Sequence, residues 1–154
     1  MARLSQRAMN NVVIIAMLIM IALFNLESFT SSPEAPAQRM LLPQDAYVLK
    51  IEHDGNALER TGQQWRQRSN NKVLGITPDR QFSEWQRAIL VPTNEVPEDV
   101  VSQQPLIVVV WVAGNTNGLV YAFYPSATMT VVNVDNNWYT LSNAKLENLL
   151  PWNT

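Results

Sequence analysis

The chain of 154 residues contains no cysteine and a single histidine. The absence of cysteine excludes disulfide bonds, thiolate metal sites, cysteine nucleophiles and the acylated cysteine that anchors a lipoprotein. The five glycines are scattered singly, so the sequence has no glycine-rich phosphate-binding loop. The formal net charge is only −2, which gives no indication of a nucleic-acid partner. The sequence therefore predicts neither a cofactor nor a nucleic-acid ligand.

The remaining candidates for chemistry are His53 and a cluster of loop acids. His53 stands just before a tight-turn signal and has no second ligand nearby, so we expect a solvated strand end rather than a metal site. No serine occupies a strand-to-helix nucleophile elbow. The acids Glu95, Glu98 and Asp99 lack the alternating spacing of a calcium loop, which favours a solvated loop. We predict a non-enzymatic protein without catalytic, cofactor-binding or metal-ligating residues.

Near the N-terminus lies the longest apolar stretch, "RAMNNVVIIAMLIMIALFNLE". Residues 8–26 carry no charge and would span roughly 28 Å as a helix at 1.5 Å per residue. This length nearly matches the ~30 Å hydrocarbon core of a bilayer. Small residues suited to signal-peptide cleavage occur only marginally at 28–30, or far downstream at 35–37. The sequence favours an uncleaved transmembrane anchor over 8–27, with a cleaved signal peptide as the alternative.

Charges on the two sides of this stretch predict its orientation. Arg3 and Arg7 precede it and Glu27 follows it. Positive flanks stay on the cytoplasmic side, so residues 1–7 form a cytoplasmic tip and the rest of the chain lies outside the inner membrane, in the periplasm of a Gram-negative cell. The next segment, 28–44, contains three prolines and reads as an extended linker whose last residues, 40–42, dock on the domain.

The remainder, 45–154, predicts a small α+β domain. Tight turns at Asp54-Gly55 and Asn117-Gly118 indicate two hairpins. In the first half, strands over 46–53 and 56–61 and a third, largely polar strand "QQWRQRS" precede an amphipathic helix in "TPDRQFSEWQRAIL". Thr77 is its predicted N-cap, Ile89 lies on its predicted apolar face, and Pro92 ends it. In the second half, a strand "LIVVVWVA" buried on both faces is followed by three further strands and a short helix capped by Ser142. An antiparallel sheet with helices on one face follows, built as a duplicated β-β-β-α unit.

The tail "VVNVDNNWYTLSNAKLENLLP" and the stretch "LKIEHDGNALERTGQQWR" together resemble a family of repeated hairpin–helix periplasmic domains of unknown function. Genes of this family often stand beside those for auxiliary components of ABC transporters, and its members follow one N-terminal membrane segment. The resemblance implies a periplasmic α+β domain. It implies no catalytic residues, because the family has none established.

A basic segment suggests where a partner could bind. Residues 60–90 carry six basic residues against two acidic ones, a net charge of +4, whereas 91–154 carry one against five. Arg66 and Arg68 share one side of their strand by period two, with Trp65 on the other side, and Lys72 follows. We treat Arg66, Arg68 and Lys72 as a candidate partner surface. The alternative is an edge strand whose charges only prevent aggregation.

These observations predict a single-pass inner-membrane protein. Its periplasmic domain would be a non-enzymatic accessory or scaffold subunit of an envelope complex, bound to a protein partner. A domain that binds or senses a small ligand or a glycan is the second hypothesis. An exposed flat patch would favour the first, and an apolar pocket with converging polar groups the second.

Overall fold

The computed structural model describes residues 6–24, 36–70 and 73–153, and the chain divides into two compact units between residues 35 and 36. The first unit contains helix α1 (Gln6–Phe24), whose residues are not buried by the protein. This helix is long and apolar enough to cross a membrane, properties that a signal sequence shares. The predicted apolar helix is therefore confirmed, whereas residues 25–27 of the predicted span lie outside the described residues.

The second unit is an antiparallel sheet with short helices, so the predicted α+β class is confirmed. Its described residues contain nine strands in the order β1-β5-β9-β8-β7-β6-β2-β3-β4. The strands are β1 (Arg39–Met40), β2 (Val48–His53), β3 (Asn56–Thr61), β4 (Gln64–Arg68), β5 (Ile89–Pro92), β6 (Leu106–Val112), β7 (Leu119–Pro125), β8 (Thr130–Val134) and β9 (Asn137–Ser142). The helices are α2 (Pro78–Arg87), α3 (Glu98–Val101) and α4 (Leu146–Leu149), and a 3₁₀ turn follows at Pro151–Asn153.

The predicted hairpin turn at Asp54-Gly55 forms, and a further hairpin turn of the same kind lies at Asp135-Asn136. Asp54 and Gly55 have φ angles of 46° and 77° between β2 and β3, and Asp135 and Asn136 have 52° and 62° between β8 and β9. Positive φ at both central residues is what a two-residue hairpin turn requires. The turn between β6 and β7 differs, because its positive φ lies at Gly114 rather than at Asn117-Gly118.

Helix α2 begins where predicted but ends earlier. Pro78 is its first residue and Asp79 lies in its first turn, although the Thr77 side chain makes no capping hydrogen bond. The chain leaves the helix at Ala88 and continues as β5, which pairs with both β1 and β9. Ile89, predicted on the apolar helix face, is thus a strand residue. The apolar spacing of the helix continues past its last residue, because the partly buried strand β5 follows directly.

Helix α4 also begins later than predicted. Ser142 is the last residue of β9, paired with Ile89, and Lys145 occupies the N-cap position. The prediction that Ser142 caps this helix is wrong, since ladder pairing holds its backbone extended. The residues that close the chain, Leu149, Leu150 and Trp152, are buried in the core.

Strand β6 alternates instead of being buried on both faces. Val108, Val110 and Val112 face the core, while Ile107 is 44% exposed and Val109 and Trp111 are half-buried. The prediction of a doubly buried strand, with Trp111 in the core, is therefore wrong. A uniformly apolar run carries no period-two signal, so its sequence could not show which face is covered.

The segment after β1 shows that the sheet curls. In strand order β1 and β2 are six spacings apart, about 29 Å in a flat sheet at ~4.8 Å each. Only residues 41–47 connect them, and a turn closed by Ala46 N–H donating to Pro43 O shortens this segment further. Met40 and Leu42 border the same depression as Val48 and Phe82. The core face must therefore be concave, and the opposite face, here called the outer face, convex.

The concave side holds the main core. Trp85 of α2 is fully buried and meets the rings of Tyr121 and Phe123 edge-on, with centroids 6.3 and 5.9 Å away. Leu41 and Leu42 are 1% and 5% exposed, so the end of the predicted linker does dock on the domain. Residues 36–44 belong to this globular unit, whereas 28–35 of that linker lie outside the described residues.

Candidate functional site

The outer face of the sheet presents two rows of side chains that run across the strands from the edge strand β4. Strand register places Arg66, Glu59, Lys50 and Trp111 in the first row, one residue from each of β4, β3, β2 and β6. The second row, by the same pairing, contains Arg68, Ala57, Glu52 and Val109. Charged residues thus predominate on the three strands nearest the edge, where Ala57 is buried, and Trp111 and Val109 lie towards the centre.

Strand β4 positions the two candidate arginines. It is the last strand in the sheet order, and Arg66 and Arg68 are exposed on its outer side. Trp65 points the opposite way and stacks on Phe82 at a centroid distance of 4.0 Å. A period-two strand with a buried tryptophan places both arginines in solvent together, as the sequence indicates. Lys72, the third candidate, lies outside the described residues.

Acidic neighbours make this region mixed in charge. Arg66 lies directly across from Glu59, and Lys50 forms an ion pair with Glu52. The hydrogen bond from Lys50, more than any other contact, lowers the pKa of the Glu52 carboxyl. Opposite charges on adjacent strands stabilise a sheet. The surface therefore combines three cations with two carboxylates, and the cations are concentrated at the edge.

Trp111 lies beside this charged region and is held in one orientation. Its indole Nε1–H donates to Glu52 Oε1 at 2.7 Å. Gly118 lies beneath it, and a methyl group placed on Gly118 would clash with Val109 and touch the indole. Glycine is thus required at position 118 because Val109 approaches its backbone closely, and not because the backbone there is left-handed. The sequence did not indicate this role, because the partner of Gly118 lies on the neighbouring strand.

An apolar strip continues the outer face beyond Trp111. Val120 is 52% exposed, opposite Val109 on the neighbouring strand, and Ile107 is 44% exposed. Val91 of β5 is 37% exposed on the same face. The centres of protein interfaces are more apolar than the rest of the surface and are enriched in aromatic residues, so exposed apolar side chains beside an indole are compatible with such a centre.

On the core side, Arg60 packs among aromatic rings instead of joining the partner surface. Its guanidinium carbon lies 4.5 Å from the ring centroid of Tyr47 and 4.8 Å from that of Trp65. Its register partner is Trp65, so it points away from Arg66 and Arg68. Cation–π contacts of this kind stabilise the edge of the core.

His53 is more constrained than the predicted solvated strand end. It is half-buried, and its Nδ1 lies 2.7 Å from the carbonyl oxygen of Ile107, so Nδ1–H donates and ties the end of β2 to β6. It borders an open depression of about 540 Å³ with Asp54 and Gln104. The residues that the structure describes contain no group of three or more His, Asp or Glu side chains placed to hold a metal.

A buried polar network joins α2 to α4, and no local sequence pattern predicts it. Gln81, fully buried, donates through Nε2 to Leu149 O at 2.8 Å, and Trp85 Nε1–H donates to the same carbonyl at 3.0 Å. Gln67 donates to Gln81 Oε1 at 2.8 Å. The network satisfies polar groups inside the core and has the character of a structural element rather than of a site.

Comparison with family models, with curated proteins and with solved structures gives no match to this chain. The resemblance to repeated hairpin–helix periplasmic domains therefore remains a prediction from the sequence.

Proposed function

We propose that this protein is a single-pass inner-membrane protein and a non-enzymatic accessory or scaffold subunit of an envelope complex. One observation carries the proposal: two arginines share the exposed side of an edge strand that borders an apolar, convex sheet face. Helix α1 supplies the anchor by its length and composition. A domain held at a membrane with such a face is suited to docking on a larger protein.

The chemistry of the surface specifies its partner. The partner would be a protein with an apolar centre for Val120 and Ile107 and carboxylates at the rim for Arg66 and Arg68. Rim charges contribute to association rate and to orientation, while buried apolar contacts contribute most of the affinity. The edge position of β4 leaves the two arginines accessible to such carboxylates from the side as well as from above.

The compartment and the orientation are part of the same proposal. Arg3 and Arg7 before the apolar helix favour a cytoplasmic N-terminus. The globular domain would then lie in the periplasm. The absence of cysteine is compatible with an oxidising compartment, where unpaired thiols can mispair.

We also propose that the domain arose from a duplicated β-β-β-α unit. Strands β2-β3-β4 followed by α2 would form one copy, and β7-β8-β9 followed by α4 the other. Both triplets are consecutive antiparallel strands, and α2 contacts α4. Strands β1, β5 and β6 would be additions that join the two copies into one sheet.

The first prediction tests the arginine surface. Replacing Arg66 and Arg68 with glutamate in the full chain should weaken crosslinking to the native envelope partner at least five-fold. Thermal stability should change by no more than a degree or two, because exposed charges contribute little to folding. The remaining association should be less sensitive to salt, since screening acts over ~8 Å at physiological ionic strength.

The matched control reverses two exposed charges elsewhere, with Arg80→Glu plus Lys145→Glu. It changes the net charge equally but leaves the outer face intact. Equal loss of crosslinking in both variants would show a general charge effect. Unaltered crosslinks in a folded Arg66→Glu, Arg68→Glu protein would limit β4 to the role of a protected edge.

A further inference from the structure

One flat face of the Trp111 indole lies against Gly118. A methyl group placed on Gly118 would lie 3.5 Å from Cε2 and 3.6 Å from Cδ2, its nearest indole atoms. These two atoms form the bond shared by both rings, and no edge of the indole exposes them. Only an approach perpendicular to the ring plane reaches both at equal distance. Gly118 therefore covers one face of the indole, and the indole as a whole is half-buried.

Polar groups stand at the edge of this ring. The Glu52 carboxylate accepts Nε1–H through Oε1 and pairs with Lys50 through Oε2. A carboxylate has about four acceptor positions and an ammonium has three donors, so both groups keep hydrogen-bonding capacity. The two side chains are 31% and 30% exposed, which leaves this capacity accessible to a ligand. A flat apolar surface is thus bordered by one acceptor and one donor of fixed position.

We propose that the exposed part of the Trp111 indole, with Lys50 and Glu52, binds a pyranose unit of an oligosaccharide. A pyranose with equatorial substituents has a flat face of C–H groups, which stacks on an indole, and hydroxyl groups around its rim. Glu52 accepts from those hydroxyls and Lys50 donates to them. The first row continues through Glu59 to Arg66, three strand spacings or roughly 14 Å away. A short oligosaccharide laid across the strands covers this distance.

Other occupants fit these residues less well. The carboxylates of Glu52 and Glu59 repel the phosphates of a nucleic acid, and the convex face would meet a second copy of itself along a line only. A saccharide is neutral or weakly charged and needs the mixed donors and acceptors present here. The oligosaccharide and the proposed protein partner would share Arg66, but titration with a pure oligosaccharide measures only the first interaction and the crosslinking experiment measures only the second.

Titration of the full chain in lipid nanodiscs with chitohexaose and with cellohexaose tests the proposal. Nanodiscs avoid the sugar headgroups of common detergents. Calorimetry and tryptophan fluorescence should detect saturable binding of at least one oligosaccharide. Trp111→Ala should weaken that binding at least ten-fold, and Trp111→Phe, which keeps an aromatic face, should weaken it less. The matched control is Trp138→Ala, which removes a half-buried indole on the same face whose cross-strand neighbour, Asn133, is uncharged.

Retention of binding in Trp138→Ala together with its loss in Trp111→Ala supports the site. No binding of either oligosaccharide by the wild type at millimolar concentration overturns it. Equal loss in the two alanine variants overturns it as well, because the effect would then be general to the sheet face. If Trp111→Ala does not fold, Glu52→Ala and Lys50→Met replace it. Unchanged affinity in both of those folded variants overturns the proposal.

Discussion

Two tryptophans of this protein differ in burial, and the difference predicts unequal effects on stability. Trp85 is fully buried between α2 and the sheet, whereas Trp111 is half-buried on the outer face. Trp85→Ala should lower the free energy of unfolding by about 3–5 kcal/mol. Trp111→Ala should cost less, because its indole is only partly buried. Urea unfolding of both variants measures this, and equal losses would contradict the assignment of Trp111 to the outer face.

A buried hydroxyl gives the protein an alkaline pH dependence. Tyr121 O–H donates to Leu41 O at 2.7 Å, and burial raises the pKa of Tyr121 from 10.0 to about 12. The folded state therefore holds this proton more tightly than the unfolded state does. Its contribution is complete below pH ~10 and is lost as the pH rises towards ~12. Two pKa units correspond to about 3 kcal/mol at 1.36 kcal/mol per unit.

Comparison with Tyr121→Phe isolates this effect. The variant should be about 1 kcal/mol less stable at pH 7, because it loses one hydrogen bond. Between pH 9 and 11.5 its free energy of unfolding should fall less steeply than that of the wild type, since the titrating group is gone. Parallel curves over this range would show that Tyr121 does not titrate differently in the folded and unfolded states.

At the residue scale, the sequence showed the side on which a residue lies wherever polar and apolar residues alternate. Arg66 and Arg68 were placed together opposite Trp65 for that reason, and the structure agrees. Within the apolar run of β6 the same reasoning failed for Trp111. Trp111 of β6 contacts Glu52 of β2 and the turn residue Gly118, and no local sequence pattern encodes contacts between residues so far apart in the chain.

Among the elements, the short strand β1 and the residues after it contribute more to the stability of the domain than their length suggests. Leu41 and Leu42 are buried, Leu41 N–H donates to Ala88 O at 2.9 Å, and Leu41 O accepts from Tyr121. A chain of residues 36–154 should therefore be much more stable than one of 45–154. Loss of two buried leucines should cost at least about 4 kcal/mol, a large share of the 5–15 kcal/mol typical of a domain.

Chemical unfolding of the two truncated chains measures this difference. Met40→Ser in the longer chain serves as the control, because Met40 is 36% exposed and should be nearly neutral. Similar unfolding midpoints for the two truncated chains would mean that residues 36–44 contribute little to the stability of the domain. A reduced unfolding midpoint for Met40→Ser would show that the side chains of β1 also contribute to stability.

Elements with local signals were predictable and those defined by distant pairing were not. The hairpin at Asp54-Gly55 and the start of α2 at Pro78 are encoded within a few residues each. Strand β1 forms by pairing with β5, and β5 pairs in turn with β9; both partners lie far away in the chain. Isolated stretches of two and four residues have no periodicity long enough to detect.

For the whole molecule, the apolar helix predicts retention in the membrane. The intact chain should remain in the membrane fraction with its N-terminus uncleaved, because the uncharged stretch is long enough to span the bilayer and cleavage signals are poor. N-terminal sequencing of the membrane fraction tests this, and a mature protein beginning near Ser31 or Gln38 would identify a signal peptide instead.

A periplasmic reporter fused after Thr154 should be active, and replacing Arg3 and Arg7 with glutamate should reduce its activity.

The hydrogen bonds that Gln81 and Trp85 donate to Leu149 O have a consequence for the order of events during synthesis. A ribosome produces the two donors more than sixty residues before their acceptor. Until the last residues emerge, α2 has two buried donors without partners and lacks Leu149, Leu150 and Trp152 beside it. The incomplete domain cannot close its core early. A chain truncated before Leu149 would lack this acceptor and should be less stable than the intact chain.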